Sequence, residues 1–170
     1  MTHRFLALAG ASLASGALVV ASALPASAHA IVDLTGKPAY AGKTSVMTLE
    51  VQHGCLQSET GIDKVAAYFS KEYGKVKPSA VAGWKSTSQR TSDGRKVVWT
   101  PTGAVPAFNT PTYFPMRITW PAKPGVYGLP VKQWCGSDTN IWDVPDGPAT
   151  ADKPSPPLYP LPQIKVLASR

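Results

Sequence analysis

Three histidines, His3, His29 and His53, are the whole imidazole supply of this 170-residue chain. One of them stands where a histidine has unusual chemistry. Residues 1–28 have the form of an export leader. Thr2-His3-Arg4 is a short basic head, Phe5 to Leu24 is apolar and uncharged, and Ala26-Ser27-Ala28 is a small-x-small cleavage site. A run of about twenty apolar residues also matches a membrane anchor, but Pro25 and the Ala-Ser-Ala site favour cleavage. Cutting after Ala28 makes His29 the first residue. Its free α-amine and its imidazole Nδ1 can then close a six-membered chelate ring on one metal ion. Amine and neutral imidazole suit Cu(II), which tops the divalent affinity series. Tetragonal copper takes three or four such donors, so a second imidazole or a carboxylate must come from the fold. His53 is the only other histidine left after cleavage. The plain alternative is that both histidines are ordinary, one at a terminus and one beside a turn.

The remaining inventory excludes several chemistries. Hydrolysis by a Ser/His/Asp set has only His29 and His53 to serve as base, and there is no Gly-x-Ser-x-Gly elbow and no phosphate loop. The only glutamates are Glu50, Glu59 and Glu72, and no carboxylate spacing points to glycoside cleavage. Met47 and Met116 are isolated, so no methionine-rich Cu(I) motif exists and Cu(II) is favoured. The formal charge is +7, of which Arg4 leaves with the leader. The basic residues are scattered. Lys71, Lys75 and Lys77 are the densest group and lack the interleaved aromatics that stack bases. With export, this argues against a nucleic-acid partner. The charge reads as a solvated surface with weak attraction for anionic envelope polymers.

The elements that must position this chemistry are strands. Seventeen prolines and 14 glycines suit short strands joined by turns, and a 44% hydrophobic content suffices for a core. Strands are expected at Ile31–Thr35, Ser45–Gln52, Ile62–Phe69, Trp84–Thr91, Lys96–Thr100, Pro115–Trp120, Val126–Trp134 and Gln163–Ala168. Asp93-Gly94 is the strongest hairpin signal, and Lys64 to Tyr73 is the one stretch that competes as a short helix. The pattern predicts an all-β, antiparallel β-sandwich, a single domain over 29–170 with a proline-rich crossing loop at 145–162. No segment after the leader is long and apolar enough to span a membrane.

Alternation places Met47, Leu49 and Val51 on one face and, if continued, His53 and Cys55 with them. Leu129, Val131 and Gln133 lead in the same way to Cys135. Two cysteines of an exported chain, both near the ends of core-facing rows, are expected to form a disulfide. Closing a loop of 80 positions is worth roughly 4.5 kcal/mol in the chain-entropy model. The alternative is a pair of thiolate metal ligands.

From His29 onward the chain resembles the YcnI-type copper-binding domain family of exported bacterial proteins. The resemblance rests on His29-Ala30-Ile31-Val32, the turn glycine Gly42, Val51-Gln52-His53-Gly54-Cys55 with Thr60 following, and Lys77-Pro78 to Gly83-Trp84. It continues through Val98-Trp99-Thr100, the turn from Pro121 to Gly125, and Val131-Lys132-Gln133-Trp134-Cys135 with Trp142. It covers nearly all of the chain after the leader. It implies an immunoglobulin-like sandwich that binds one Cu(II) per mature chain in a single-histidine brace, helped by a carboxylate and capped by a tryptophan. By position His29 is the brace and Trp142 the cap, although a tryptophan after a Cys-containing strand commonly packs in a core. Members without the cysteines carry a Glu near the end of the second strand, where this chain has His53. His53 is therefore expected to take that place. Glu59, in the turn that follows, and Glu50, on the opposite strand face, rank below it.

The resulting expectation is a periplasmic or secreted protein that captures, buffers or delivers Cu(II) without catalytic turnover. Its partners would be a copper ion and a membrane copper transporter or another copper-binding protein. Two alternatives belong to other classes. A copper-dependent polysaccharide monooxygenase also exposes an N-terminal histidine and recruits a second, but usually carries a long insertion for which the 24 positions between His29 and His53 leave no room. A metal-free envelope adhesion module would use exposed aromatics and lysines.

Overall fold

The computed structural model describes residues 30–150 and 152–169, so the leader and His29 lie outside the described residues. Twelve strands in chain order build it: β1 Ala30–Asp33, β2 Ala39–Tyr40, β3 Thr44–Val51, β4 Lys64–Ser70, β5 Val76–Pro78, β6 Trp84–Thr91, β7 Gly94–Pro101, β8 Thr112–Thr119, β9 Gly125–Gly128, β10 Val131–Cys135, β11 Asp138–Trp142 and β12 Gln163–Leu167. One sheet has the order β1-β3-β8-β5 and the other β11-β10-β4-β7-β6, with a small third sheet β2-β12-β9. The architecture is an all-β, immunoglobulin-like sandwich of antiparallel sheets, with one parallel pair, β12 on β2. No helix is present among the described residues, and so none there is long and apolar enough to cross a membrane.

Period-two patterning explains the layers. Met47, Leu49 and Val51 of β3 face Val65, Ala67 and Phe69 of β4, all at most 2% exposed. Trp99 of β7 stacks on Phe114 of β8 at 4.8 Å, and Trp84 meets the same ring edge-on at 5.0 Å, which pins the two sheets together. Trp134 lies on the outer surface beneath Lys64 and Lys132, whose ammonium groups stand 4.4 and 4.8 Å from its ring.

One competing reading is decided in favour of the strand, and two local expectations differ from what forms. The stretch from Lys64 forms the expected strand and not the competing helix, because Val65, Ala67 and Phe69 alternate inward on a strand that pairs with both β7 and β10. The strand expected over Val126–Trp134 is two. Pro130 has no N–H to donate to a ladder, and the chain leaves β12 at Gly128 and joins β4 from Val131. The short strands β2, β5 and β11 were not expected. The hairpin forms as read, with Ser92-Asp93 as its tip. Gly94, at a φ of 145°, opens β7, and a Cβ there would lie 2.0 Å from the Phe69 carbonyl oxygen. The proline-rich segment crosses without a strand of its own, and its two ends are tied where Leu161 N–H donates to the Val144 carbonyl at 2.8 Å.

Candidate metal centre

The end of the sandwich where β3 stops and β10 turns into β11 carries the residues singled out in the sequence. Its covalent anchor is the Cys55–Cys135 disulfide, fully buried, with Cα atoms 5.8 Å apart. No free cysteine remains, so thiolate ligation is excluded. The alternation of β3 ends at Val51, and the chain turns through His53 and Gly54 before Cys55 enters the core. Gly54 N–H donates to the Phe108 carbonyl at 2.8 Å. A Cβ on Gly54 would sit 1.8 Å from the Thr60 carbonyl oxygen, so only glycine lets these segments approach. Cys55 N–H donates to that same carbonyl at 3.0 Å and closes the 55–60 loop.

His53 is half-buried, its ring 5.4 Å from that of Phe108. Its Nδ1 lies 2.7 Å from the Gly54 carbonyl oxygen. A carbonyl only accepts, so Nδ1 carries the hydrogen, and in the neutral ring Nε2 keeps its lone pair for an outside partner. The His53 carbonyl accepts from Gln133 Nε2 at 2.8 Å, and that nitrogen also lies 3.2 Å from the Cys135 sulfur. Gln133 thereby fixes the turn that presents the imidazole.

The other expected ligands stand apart from this ring. Glu59 is exposed in the 55–60 loop, at a φ of 49°. Glu50 points away from the core, between Ile31 of β1 and Tyr113 of β8. Trp142 is buried at 1% exposure, opposite Val131 and edge-on to Tyr159 at 6.1 Å. No three His, Cys, Asp or Glu side chains among the described residues are grouped to hold a metal. A complete site therefore needs a donor from outside them.

Sequence reasoning missed three members of this end. Asp63 accepts the Gly136 N–H at 2.6 Å and holds the β10–β11 turn. Gln133 was placed on the inner face but given no role. Asn140, opposite Gln133, was not seen because β11 was not expected. Gln133 Oε1 and both polar atoms of the Asn140 amide are buried without a hydrogen-bond partner. Polar residues on an inward-facing row next to a cysteine were the available signal.

The domain of unknown function DUF1775 matches residues 29–166. The chain belongs to this family. The DUF1775 match begins at His29 itself and spans both sheets and the crossing loop. A crystal structure of an uncharacterized protein from Nocardia farcinica, described as revealing an immunoglobulin-like fold, is similar to this DUF1775 chain with a TM-score of 0.66 and 20% identity, over 83% of this chain and 99% of that one. That likeness is one of fold. No curated protein matches.

Proposed function

We propose that the protein binds Cu(II) outside the cytoplasm, anchoring it at His29 once the leader is removed, and that it captures, buffers or delivers the ion without catalytic turnover. The observation that carries this reading is the register of β1 on β3. Ala30, the residue after His29, lies opposite Val51, two residues before His53. The His53 ring is oriented by Gly54 with Nε2 left available, which is the usual arrangement of a ligating imidazole held by its other nitrogen. Glu59 and Glu50 are the carboxylates in reach of the same rim by sequence, and the buried Trp142 lies on the inner face two residues along from Asn140. Cu(II), when bound, would be held by the amine and imidazole of His29 with His53 as the next donor, and Trp142 would shield it from solvent. The YcnI-type resemblance supports the same ligand order, and the leader at 1–28 supports export to the periplasm or beyond. A membrane copper transporter or another copper-binding protein is the partner this reading implies.

The test is Cu(II) titration of protein with a verified His29 terminus, read by electron paramagnetic resonance, beside a form with one residue added before His29. Tight one-to-one binding with a nitrogen-rich tetragonal spectrum, lost in the extended form, is expected. His53→Ala should then remove one nitrogen from the spectrum, whereas Glu59→Ala and Glu50→Ala should not. Equal and weak binding in both forms overturns the proposal.

A further inference from the structure

The opposite end of the sandwich holds a cleft of about 540 Å³, lined by Lys71, Tyr73, Lys75, Arg90 and Arg95 with Gly94 at the start of β7. The connection from β4 to β5 supplies the lysines, and the β6–β7 hairpin supplies the arginines. Arg90 and Arg95 are directly opposite in the ladder, a like-charge pair that disfavours the hairpin in the absence of an anion. Arg95 Nη1 donates to Ser88 at 3.0 Å, which turns one guanidinium but neutralises nothing. Among the described residues no carboxylate pairs with any of the four cations. The nearest in sequence are Glu72 and Asp93, both exposed, and Glu72 is engaged with the Ser70 hydroxyl. Tyr73 closes the wall; it is 5% exposed and packed against Phe69 and Tyr127 at 5.3 and 6.0 Å, with its hydroxyl buried away from solvent.

We infer that this cleft is a binding site for a phosphate group, its charge met by Lys71, Lys75, Arg90 and Arg95. Two guanidinium forks and two ammonium groups around one concavity match a compact multivalent anion better than a single carboxylate. A site here is independent of the metal reading, since the cleft lies at the Ser70 and Gly94 ends of β4 and β7 and His53 beyond the other end of β3.

Amide NMR titration with inorganic phosphate, at constant ionic strength set with chloride, tests it. Saturable shifts confined to residues 70–75 and 90–95 are expected. Arg90→Gln with Lys71→Gln should weaken them at least tenfold. Shifts spread over all lysines, or full-strength binding in the Arg90→Gln, Lys71→Gln variant, would mean diffuse attraction and overturn the site. The source of the phosphate follows from co-sedimentation with phosphatidylglycerol vesicles against phosphatidylcholine ones. Retention that is lost in the same variant assigns a lipid headgroup, and no retention assigns a soluble phosphate ester.

Discussion

The two ends of the sandwich solve the problem of unpaired polar groups in opposite ways. At the disulfide end, three amide atoms of Gln133 and Asn140 are buried without partners, and the surrounding turns are fixed by a covalent bond, a glycine contact and the Asp63 clamp. At the hairpin end, four cations without counter-ions stay solvated around an open cleft. Unpaired groups that are buried must be held by rigid surroundings, whereas unpaired charges in water cost little and remain free to meet a ligand. The first end is built to keep a geometry and the second to present a charge.

The largest effect should come from cutting the covalent tie. Replacing Cys55 and Cys135 together by Ala should lower unfolding free energy by about 2–5 kcal/mol, as expected for a closed loop of 80 residues, measured by urea denaturation. An equal loss from replacing any of the four hairpin-end cations would remove the contrast in rigidity. Next, Gly54→Ala pushes a methyl into the Thr60 carbonyl and should cost about 2–3 kcal/mol, with thermal melting as the readout.

A pH series sharpens the other side. Burial raises the Tyr73 hydroxyl well above its ordinary value of 10.0, with Tyr127 and Glu72 adding to it. The folded state therefore holds that proton more tightly than the unfolded one. Its contribution is fully present below pH 10 and is lost as pH rises beyond it, by at most about 1.4 kcal/mol per pH unit. Denaturation midpoints should fall above pH 10 in the parent and fall less steeply in Tyr73→Phe. A smaller change of opposite sign is expected from Asn140→Leu. It replaces a buried amide that has no partner by an apolar side chain of similar size, and should be neutral or stabilising by about 1 kcal/mol. A loss there would show that ordered water completes the pair with Gln133. Smallest of all, Arg90→Ala at the exposed hairpin should change stability by less than about 0.5 kcal/mol, whatever it does to anion binding.

Much of the framework was legible because alternation reports burial directly. Trp84–Thr91 has the bounds read from the chain, and β3, β7, β8 and β12 are displaced by no more than about three residues at either end. The disulfide was legible from two cysteines read near the ends of inward-facing rows, although the β3 row stops at Val51 and Cys55 enters the core only after a turn. The elements that escaped are those made by pairing rather than by pattern. β2 and β5 are two and three residues long, and β11 is read only through its register on β10. The hairpin-end cleft escaped because its cations are far apart in sequence. Lys71 and Lys75 looked like a solvated run until the ladder brought Arg90 and Arg95 beside them. His53 was read as continuing the inward-facing row of β3, but it lies in the turn after that row ends, where its ring is set by Gly54 and Phe108, and no period along β3 encodes that.

The parallel contact between β12 and β2 also bears on how the chain comes to be folded. β12 is the sole bridge between β2 and β9, so a sheet begun at Ala39 is completed only by residues from Gln163 onward. A growing polypeptide has nothing with which to close that sheet until Gln163 and the residues after it have been made. Pairings between residues so far apart in sequence also form slowly. The third sheet is therefore set only when β12 arrives, late relative to the two larger sheets.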